Sequence, residues 1–298
     1  MKKIYIAGCG GMLGAAFFDV FGNDYELKCT DKDPNESWLQ FLDFRSLDAY
    51  QKDVTEFQPD YLFHLGAYTD LEFCEANDDD THMTNAIAVE NATYIANRLD
   101  IPLLYISTAG IFDGVKESYD DWDRPNPLGV YARSKYIGEL AVTASVRRHL
   151  VCRAGWMMGG GPTKDKKFIK KMMLQIRERK KELFVVNDKL GTPTYTRDFA
   201  QNIRLLLEKE YWGLYNMVSG GLTSRLEVCT EMLRVLGLTD KIAVKEVGSE
   251  YFAKEYFAAR PPSERLVNRK LNLRNVNHMR HWKTALEEYL RTEYSNYL

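Results

Sequence analysis

Short apolar runs alternate with longer amphipathic stretches from the beginning of the chain. A short apolar run predicts a buried strand, whereas apolar positions spaced three or four residues apart predict a helix. Strands are predicted at 3–8, 25–30, 60–65, 102–107 and 149–153. Helices are predicted between them at 12–21, 46–57, 81–99 and 129–148, with Ser46 as an N-cap. Such an order forms right-handed βαβ units, so the predicted fold class is α/β with a Rossmann-type, doubly wound parallel sheet.

The pattern loosens after about residue 155. A glycine-rich connection at 159–162 precedes a basic helix at 166–181, strands at 183–186 and 213–218, and helices at 227–236 and 284–294. We therefore predict a nucleotide-binding Rossmann domain over 1–155 and a smaller, interleaved substrate-binding region over 156–298. Segments near 183–220 are expected to return to the first domain.

Composition narrows the class of protein. A chain of 298 residues is long enough for about two domains, and an apolar content of 45% excludes a disordered chain. The net charge of −2 predicts neither a nucleic-acid partner nor attraction to a membrane surface. No run is long enough to span a bilayer and no signal peptide is visible, so a cytoplasmic location is expected. The five scattered cysteines fit a reduced setting, and the five histidines predict no metal site.

The junction of the first strand and the first helix carries glycines at positions 8, 11 and 14. Glycine allows a tight turn and close approach of a pyrophosphate, which a helix N-terminus stabilises. The strand–turn–helix context favours a dinucleotide site over an ordinary βα turn. The residues predicted to line it are Gly8, Gly10, Gly11, Met12, Leu13 and Gly14.

Two acidic residues are candidates for the adenosine end of a dinucleotide. Asp31 ends the second strand, where a carboxylate binds the ribose 2′-hydroxyl and repels a 2′-phosphate. This favours NAD(H) slightly, although the neighbouring Lys32 is compatible with NADP(H). Asp43 is a candidate adenine contact, with loop solvation or helix capping as equal alternatives.

Tyr131 and Lys135 lie at i and i+4 of a predicted helix and therefore share one face. A phenol with a pKa of about 10 is a poor acid–base catalyst, and an adjacent ammonium is expected to lower that pKa. Ser107 and Thr108 end the fourth predicted strand, where their hydroxyls can hold a carbonyl oxygen. Together these residues form a Thr/Ser–Tyr–Lys constellation that is more specific than any of its parts.

With these motifs the chain resembles the dTDP-4-dehydrorhamnose reductase family of the extended short-chain dehydrogenase/reductase superfamily. The resemblance covers nearly the whole chain. Segment 107–114 resembles STDYVFDG, 127–139 resembles PLNxYGxSKxxGE, 153–156 resembles RTSW, and 187–194 resembles NDQxGxPT. Further matches lie at 8–14, 64–69, 213–216 and 260–263.

The resemblance implies an NAD(P)H-dependent reductase of a nucleotide-activated 4-keto-6-deoxy sugar. It implies Thr108, Tyr131 and Lys135 as the catalytic set, with Tyr131 protonating the carbonyl oxygen. The other residues that the resemblance and the motifs assign are Gly66, Ala67 and Tyr68 for the cofactor, and Ser107, Ala109, Trp156 and Arg260 for the substrate.

Some of the substrate-side assignments have an alternative interpretation. Stacking on the sugar nucleotide and core packing fit Trp156 equally well. Arg260 is favoured for a pyrophosphate contact because guanidinium matches phosphate geometry. The basic run at 164–171 either faces a nucleotide diphosphate or forms a solvated helix face.

Departures from the family pattern concern the substrate side. Ala109 and Gly110 replace an Asp-Tyr pair that lies beside the reacting sugar in the family, and Glu264 stands where a serine is expected. Ala15 and Ala16 follow Gly14 in place of an acidic residue, so no metal-linked dimer is predicted. Monomer and homodimer both remain open.

Two alternatives to a reductase follow from the same residues. One is an epimerase or dehydratase of the same superfamily, which usually carries extra acids just after the active-site threonine. Ala109 and Gly110 offer none. The other is a non-catalytic regulatory subunit with the same fold, against which the complete Thr108–Tyr131–Lys135 set argues.

Overall fold

The computed structural model describes residues 1–298 and contains fourteen strands. Their bounds are β1 Lys3–Ala7, β2 Glu26–Asp31, β3 Leu39–Phe41, β4 Tyr61–His64, β5 Leu103–Thr108, β6 His149–Ala154, β7 Trp156–Met158, β8 Glu182–Val186, β9 Leu190–Gly191, β10 Pro193–Tyr195, β11 Gly213–Asn216, β12 Thr223–Ser224, β13 Ala243–Val247 and β14 Ser263–Glu264.

Twelve α-helices connect these strands. They are α1 Met12–Phe21, α2 Leu47–Phe57, α3 Leu71–Ala76, α4 Asp78–His82, α5 Ala88–Leu99, α6 Val130–Ser145, α7 Gly161–Lys164, α8 Phe168–Arg177, α9 Thr196–Glu208, α10 Arg225–Val235, α11 Arg269–Leu273 and α12 Trp282–Glu293. None of them combines the length and the apolar character needed to cross a bilayer.

Seven strands form one parallel sheet in the order β11-β6-β5-β4-β1-β2-β3. The strand order reverses beside β1, because β2 lies on one side of it and β4 on the other. The predicted doubly wound α/β fold is confirmed. Open sheets of this kind bind ligands outside the carboxyl ends of the strands, at the point of reversal.

Helices cover both faces of this sheet, which explains why its central strands are apolar on both sides. On one face, α1 and α9 pack together and bury Phe17, Phe21 and Phe199. On the other face, α2, α5 and α6 cover a core that includes Tyr50 and Tyr105. Helix α9 is absent from the sequence predictions, and it belongs to the same core as residues 1–155.

A second hydrophobic core lies outside the large sheet. Helices α8, α10 and α12 build it with the parallel pair β8 and β13. The short strands form two further small sheets, in which β7 pairs with β10 and β9 lies between β12 and β14. All five cysteines are free and buried, as expected for small core residues.

The predicted helix 81–99 is the element that differs most from expectation. It consists of α4, a π-helical segment at 83–87, and α5. The wider π turn contains Asn85, whose amide bonds both backbone groups of Tyr68 and the Ser134 hydroxyl. A π turn inserts one residue without disturbing the apolar pattern on either side, so periodicity does not reveal it. The predicted Ser46 cap of α2 is confirmed by a hydrogen bond from the Ala49 amide.

The glycine turn yields a prediction about the free energy of unfolding. A Cβ at Gly14 would lie 1.9 Å from the Cys9 carbonyl oxygen, whereas a Cβ at Gly11 would meet nothing within 4 Å. Gly14→Ala should therefore reduce the free energy of unfolding by about 3 kcal/mol, the upper range for an overpacked site. The matched variant Gly11→Ala should change it by less than about 1 kcal/mol. Urea denaturation without cofactor measures both, and equal effects would contradict the predicted packing.

Candidate active site

The glycine turn lies at the carboxyl end of β1, where the strand order reverses. Gly8 has a φ of 76°, and a Cβ there would lie 2.2 Å from Gly66. Met12 and Leu13 open helix α1, whose N-cap, Gly11, is exposed and offers no side chain to its first amides. Those free amides and the bare backbone fit the pyrophosphate of a dinucleotide.

Asp31 is held against this turn. Its carboxylate accepts hydrogen bonds from the Gly10 amide at 2.8 Å and from the Asp33 amide at 3.0 Å. The Gly10 carbonyl accepts a hydrogen bond from Lys164 Nζ at 3.1 Å. Lys32 donates to the Tyr68 hydroxyl at 2.7 Å. This side of the turn therefore carries the Asp31 carboxylate and two lysines, and Lys164, which comes from a distant segment, also pairs with Glu36 at 3.0 Å.

The other predicted cofactor residues lie in two places. Gly66, Ala67 and Tyr68 follow β4 beside the glycine turn, where Asn85 fixes the Tyr68 backbone. Asp43 forms an ion pair with Arg45 at 2.7 Å, and the guanidinium lowers the pKa of Asp43. Its carboxylate oxygens are thus already engaged within the protein.

Thr108 ends β5 and faces the first turn of α6, which carries Tyr131 and Lys135. Burial raises the pKa of Tyr131, and the nearby Thr108 hydroxyl acts in the opposite direction. The expectation that Lys135 lowers the pKa of Tyr131 is wrong for this structure, because burial of the phenol has the larger effect. Tyr131 is consequently held in its protonated form.

Lys135 is buried, with 4% of its surface exposed. Its Nζ lies 4.2 Å from the centroid of the Tyr105 ring, and the Tyr105 hydroxyl donates to the Lys135 carbonyl at 3.0 Å. Burial lowers the pKa of Lys135 to about 7, against an opposing effect of Glu139. Lys135 therefore titrates near neutral pH.

Buried polar groups surround the three residues. Arg153 and Glu139 form a two-pronged ion pair, at 2.6 and 3.1 Å, with side chains only 4% and 3% exposed. The Ser107 hydroxyl is buried without a hydrogen-bond partner. No group of three or more His, Cys, Asp or Glu side chains is arranged to hold a metal ion.

The sequence departures lie side by side in space. Ala109 and Gly110 belong to a short 3-10 turn after β5, and a Cβ at Gly110 would lie 3.3 Å from Glu264 Oε1. Glu264 accepts a hydrogen bond from the Trp156 indole at 2.7 Å. A carboxylate from β14 therefore stands next to the position where the family has a side chain after the threonine.

Trp156 and Arg260 both have protein partners. The guanidinium of Arg225 lies 3.6 Å from the centroid of the Trp156 ring. Arg260 forms an ion pair with Glu72, at 2.6 and 2.8 Å. No motif pointed to Arg225, because a lone arginine at the start of a helix carries no signal in the sequence.

The glycine turn at the reversal of strand order and the neighbouring Thr–Tyr–Lys set together define the class of this protein. The chain is an NAD(P)-dependent oxidoreductase of the short-chain dehydrogenase/reductase type, and its cofactor is a nicotinamide dinucleotide.

Comparison with known proteins narrows this class to a family. The family model described as the RmlD substrate binding domain matches residues 1–295, and the chain belongs to this family. The spore coat polysaccharide biosynthesis protein SpsK of Bacillus subtilis is 28% identical to it, over 97% of each chain.

Solved structures agree with this family. The dTDP-4-dehydrorhamnose reductase of Yersinia enterocolitica is 31% identical with a TM-score of 0.87, over 97% of this chain and 99% of that one. The Bacillus anthracis enzyme of the same name, solved in complex with NADP, is 28% identical with a TM-score of 0.88 and the same coverage.

The Arg153–Glu139 pair yields a second prediction. Glu139→Gln leaves a buried guanidinium without a charged partner, which should lower the free energy of unfolding by about 3–5 kcal/mol. Glu208→Gln removes the same charge from an exposed pair with Arg204 and should cost under about 0.5 kcal/mol. Denaturant unfolding of both variants measures the difference. A loss below about 1 kcal/mol for Glu139→Gln would contradict a supporting role for the buried pair.

Proposed function

We propose that this chain reduces a nucleotide-activated 4-keto-6-deoxy sugar with NAD(P)H, as a dTDP-4-dehydrorhamnose reductase-like enzyme. The observation that carries the proposal is the arrangement of three side chains: Thr108 at the end of β5, Tyr131 in the first turn of α6, and the buried Lys135 one helical turn further on. The family and the names of its relatives support the substrate class. The catalytic and binding roles below are part of this proposal.

The proposed reaction adds a hydride and a proton across a carbonyl group. The bound nicotinamide cofactor supplies the hydride to the carbonyl carbon. Tyr131 donates its phenolic proton to the carbonyl oxygen, which becomes a hydroxyl group, and Thr108 holds that oxygen by a hydrogen bond. The Lys135 ammonium stabilises the resulting phenolate until solvent returns the proton. The phenol is protonated at neutral pH, as this direction of the reaction requires.

On the substrate side, Ser107 and Ala109 would lie beside the sugar, and Trp156 and Arg260 would line the sugar nucleotide. Trp156 presents its indole edge to Glu264 and one face to Arg225. For Arg260 to bind a pyrophosphate, its guanidinium would have to share or leave Glu72. We therefore propose that both side chains line the substrate site. Their protein partners determine which of their surfaces and N–H groups are left for the substrate.

For the cofactor, we propose a slight preference for NAD(H). The Asp31 carboxylate stands where it would repel a 2′-phosphate. Lys32 and Lys164 oppose this effect, although Lys164 is engaged by Glu36 at 3.0 Å. The opposing charges explain why the preference is small.

One observation supports an epimerase or dehydratase as a second candidate. Glu264 brings a carboxylate to the side of Gly110 and raises the pKa of Tyr131. Epimerases and dehydratases of this superfamily usually carry an acid just after the threonine, where this chain has Ala109 and Gly110. Glu264 supplies a carboxylate at this place from another segment of the chain. Net oxidation of the cofactor separates a reductase from these enzymes, which regain their hydride.

Tyr131→Phe tests the proposed catalytic set. We expect kcat/KM to fall by more than about a hundredfold, because the proton donor is lost, while NADH and NADPH still bind. Cofactor oxidation with a panel of nucleotide-activated 4-keto-6-deoxy sugars measures turnover, and fluorescence titration measures binding. Tyr94→Phe, which removes an exposed phenol from α5, is the control. Retained turnover in Tyr131→Phe would remove Tyr131 from its role, and no turnover of any sugar by the unmodified chain would overturn the reductase.

Asp31→Asn tests the cofactor preference. The amide keeps an oxygen for the Gly10 amide but removes the charge, so the affinity for NADPH relative to NADH should rise on the order of tenfold. Titration of both reduced cofactors measures the ratio. Asp19→Asn, on the exposed side of α1, should leave the ratio unchanged. An unchanged ratio in Asp31→Asn would show that Asp31 does not select the cofactor.

A further inference from the structure

Arg225 is a cleft arginine without a charged partner. It begins α10, and its side chain is half-buried. Its guanidinium forms no ion pair within 4.0 Å and donates no side-chain hydrogen bond within the protein. Glu264 is the group whose charge favours the guanidinium most. Protein atoms nevertheless surround it closely enough for burial to lower its pKa to about 10. Such a desolvated, unpaired cation is costly for the fold and suits an anionic ligand.

Aromatic rings fix the position of this guanidinium. Its central carbon lies 3.6 Å from the centroid of the Trp156 ring and 4.8 Å from that of Phe168. Stacking uses the flat face of a guanidinium and leaves the in-plane N–H donors free. The indole is itself held by its hydrogen bond to Glu264. Arg225 is therefore pre-oriented without using its hydrogen-bonding edge.

Two other cations lie near Arg225. Lys167 donates to the Thr69 carbonyl and hydroxyl oxygens, at 2.8 and 3.1 Å, and has no carboxylate partner. Burial lowers the pKa of Lys167, and the charge of Arg225 acts in the same direction. Arg260 also lowers the pKa of Arg225, but Arg260 is neutralised by Glu72. Arg225 and Lys167 are therefore two neighbouring cations without ion-pair partners, and Glu264 and Asp165 are carboxylates whose charges oppose theirs.

We propose that Arg225, with Lys167 beside it, binds the diphosphate of the nucleotide sugar. The assignment rests on the proposed function. In a 4-keto pyranose, the anomeric carbon that carries the diphosphate lies across the ring from the reacting carbonyl. Glu264 contacts the turn after Thr108 with one oxygen, 3.3 Å from a Cβ at Gly110, and accepts the Trp156 indole N–H with the other. Arg225 covers that indole ring, so Glu264 lies between Arg225 and the turn that follows Thr108. A planar guanidinium with free edges matches the paired oxygens of a phosphate.

Direct binding of nucleoside diphosphates tests this site without turnover. The full chain, saturated with NADPH, is titrated calorimetrically with dTDP, UDP and GDP, and the tightest of these is carried to the variants. Arg225→Gln should weaken its binding by about tenfold to a hundredfold, since charged hydrogen bonds are lost. Binding of the corresponding nucleoside and of NADPH should not change. Arg269→Gln removes the same charge from an exposed position and should have no effect.

Three results would overturn the site: no binding of any of the three diphosphates, equal binding in Arg225→Gln, or an equal loss in Arg269→Gln. An Arg225→Gln loss for UDP-glucuronate but not for UDP would assign Arg225 to a sugar carboxylate instead. NADPH binding by each variant reports that the chain is folded. A chain that binds dTDP through Arg225 but reduces no keto sugar would contradict the proposed function and leave this site standing.

Discussion

The close approach of α6 to β5 is the constraint on which the site depends. A Cβ at Gly138 would lie 2.6 Å from the Tyr105 hydroxyl oxygen and 3.0 Å from the Asn85 carbonyl oxygen, so only glycine fits between the helix and its neighbours. This contact presses α6 onto the sheet and the π-helical segment. Tyr131 and Lys135 are thereby surrounded by protein, and burial sets the direction of both pKa shifts. The chemistry of the two side chains follows from the packing of the helix that carries them.

The proposed reacting centre and the proposed substrate side come from different parts of the chain. Thr108, Tyr131 and Lys135 belong to the large sheet and its covering helix. Glu264 and Arg225 come from β14 and the start of α10, which lie outside the large sheet. Gly110 leaves room for the Glu264 carboxylate, so the change after the threonine and the late glutamate form one local rearrangement. The proposed Thr108–Tyr131–Lys135 set is thus combined with a carboxylate and a guanidinium on the proposed substrate side.

The sequence predicts the fold well where local rules suffice. The alternation of apolar runs places five of the six strands of the first 155 residues and misses the short edge strand β3 at Leu39–Phe41. The glycine turn and the Tyr131–Lys135 spacing follow from short motifs. Helix α9 has apolar residues at 199, 203, 206 and 207 and is readable in the same way. The π-helical segment is not, because one inserted residue leaves the flanking pattern intact.

Other features depend on tertiary structure. Lys164 binds the Gly10 carbonyl of the glycine turn from a position 154 residues along the chain. Arg225 becomes a candidate only because the structure places its guanidinium over the Trp156 ring. The sign of the Tyr131 pKa shift also requires the structure, since spacing predicts a nearby cation but not the extent of burial. Sequence motifs therefore do not predict which distant long side chains reach a site or how strongly its charged groups are desolvated.

The central claim is that hydride passes once, from cofactor to sugar, while Tyr131 supplies the proton. The most direct measurement is a reaction of a nucleotide-activated 4-keto-6-deoxy sugar with NAD(P)H that carries deuterium at the transferring position of the nicotinamide. The account predicts one deuterium at C4 of the product and one equivalent of oxidised cofactor per sugar. A converted sugar without deuterium and without net cofactor oxidation would contradict it and indicate an epimerase or dehydratase.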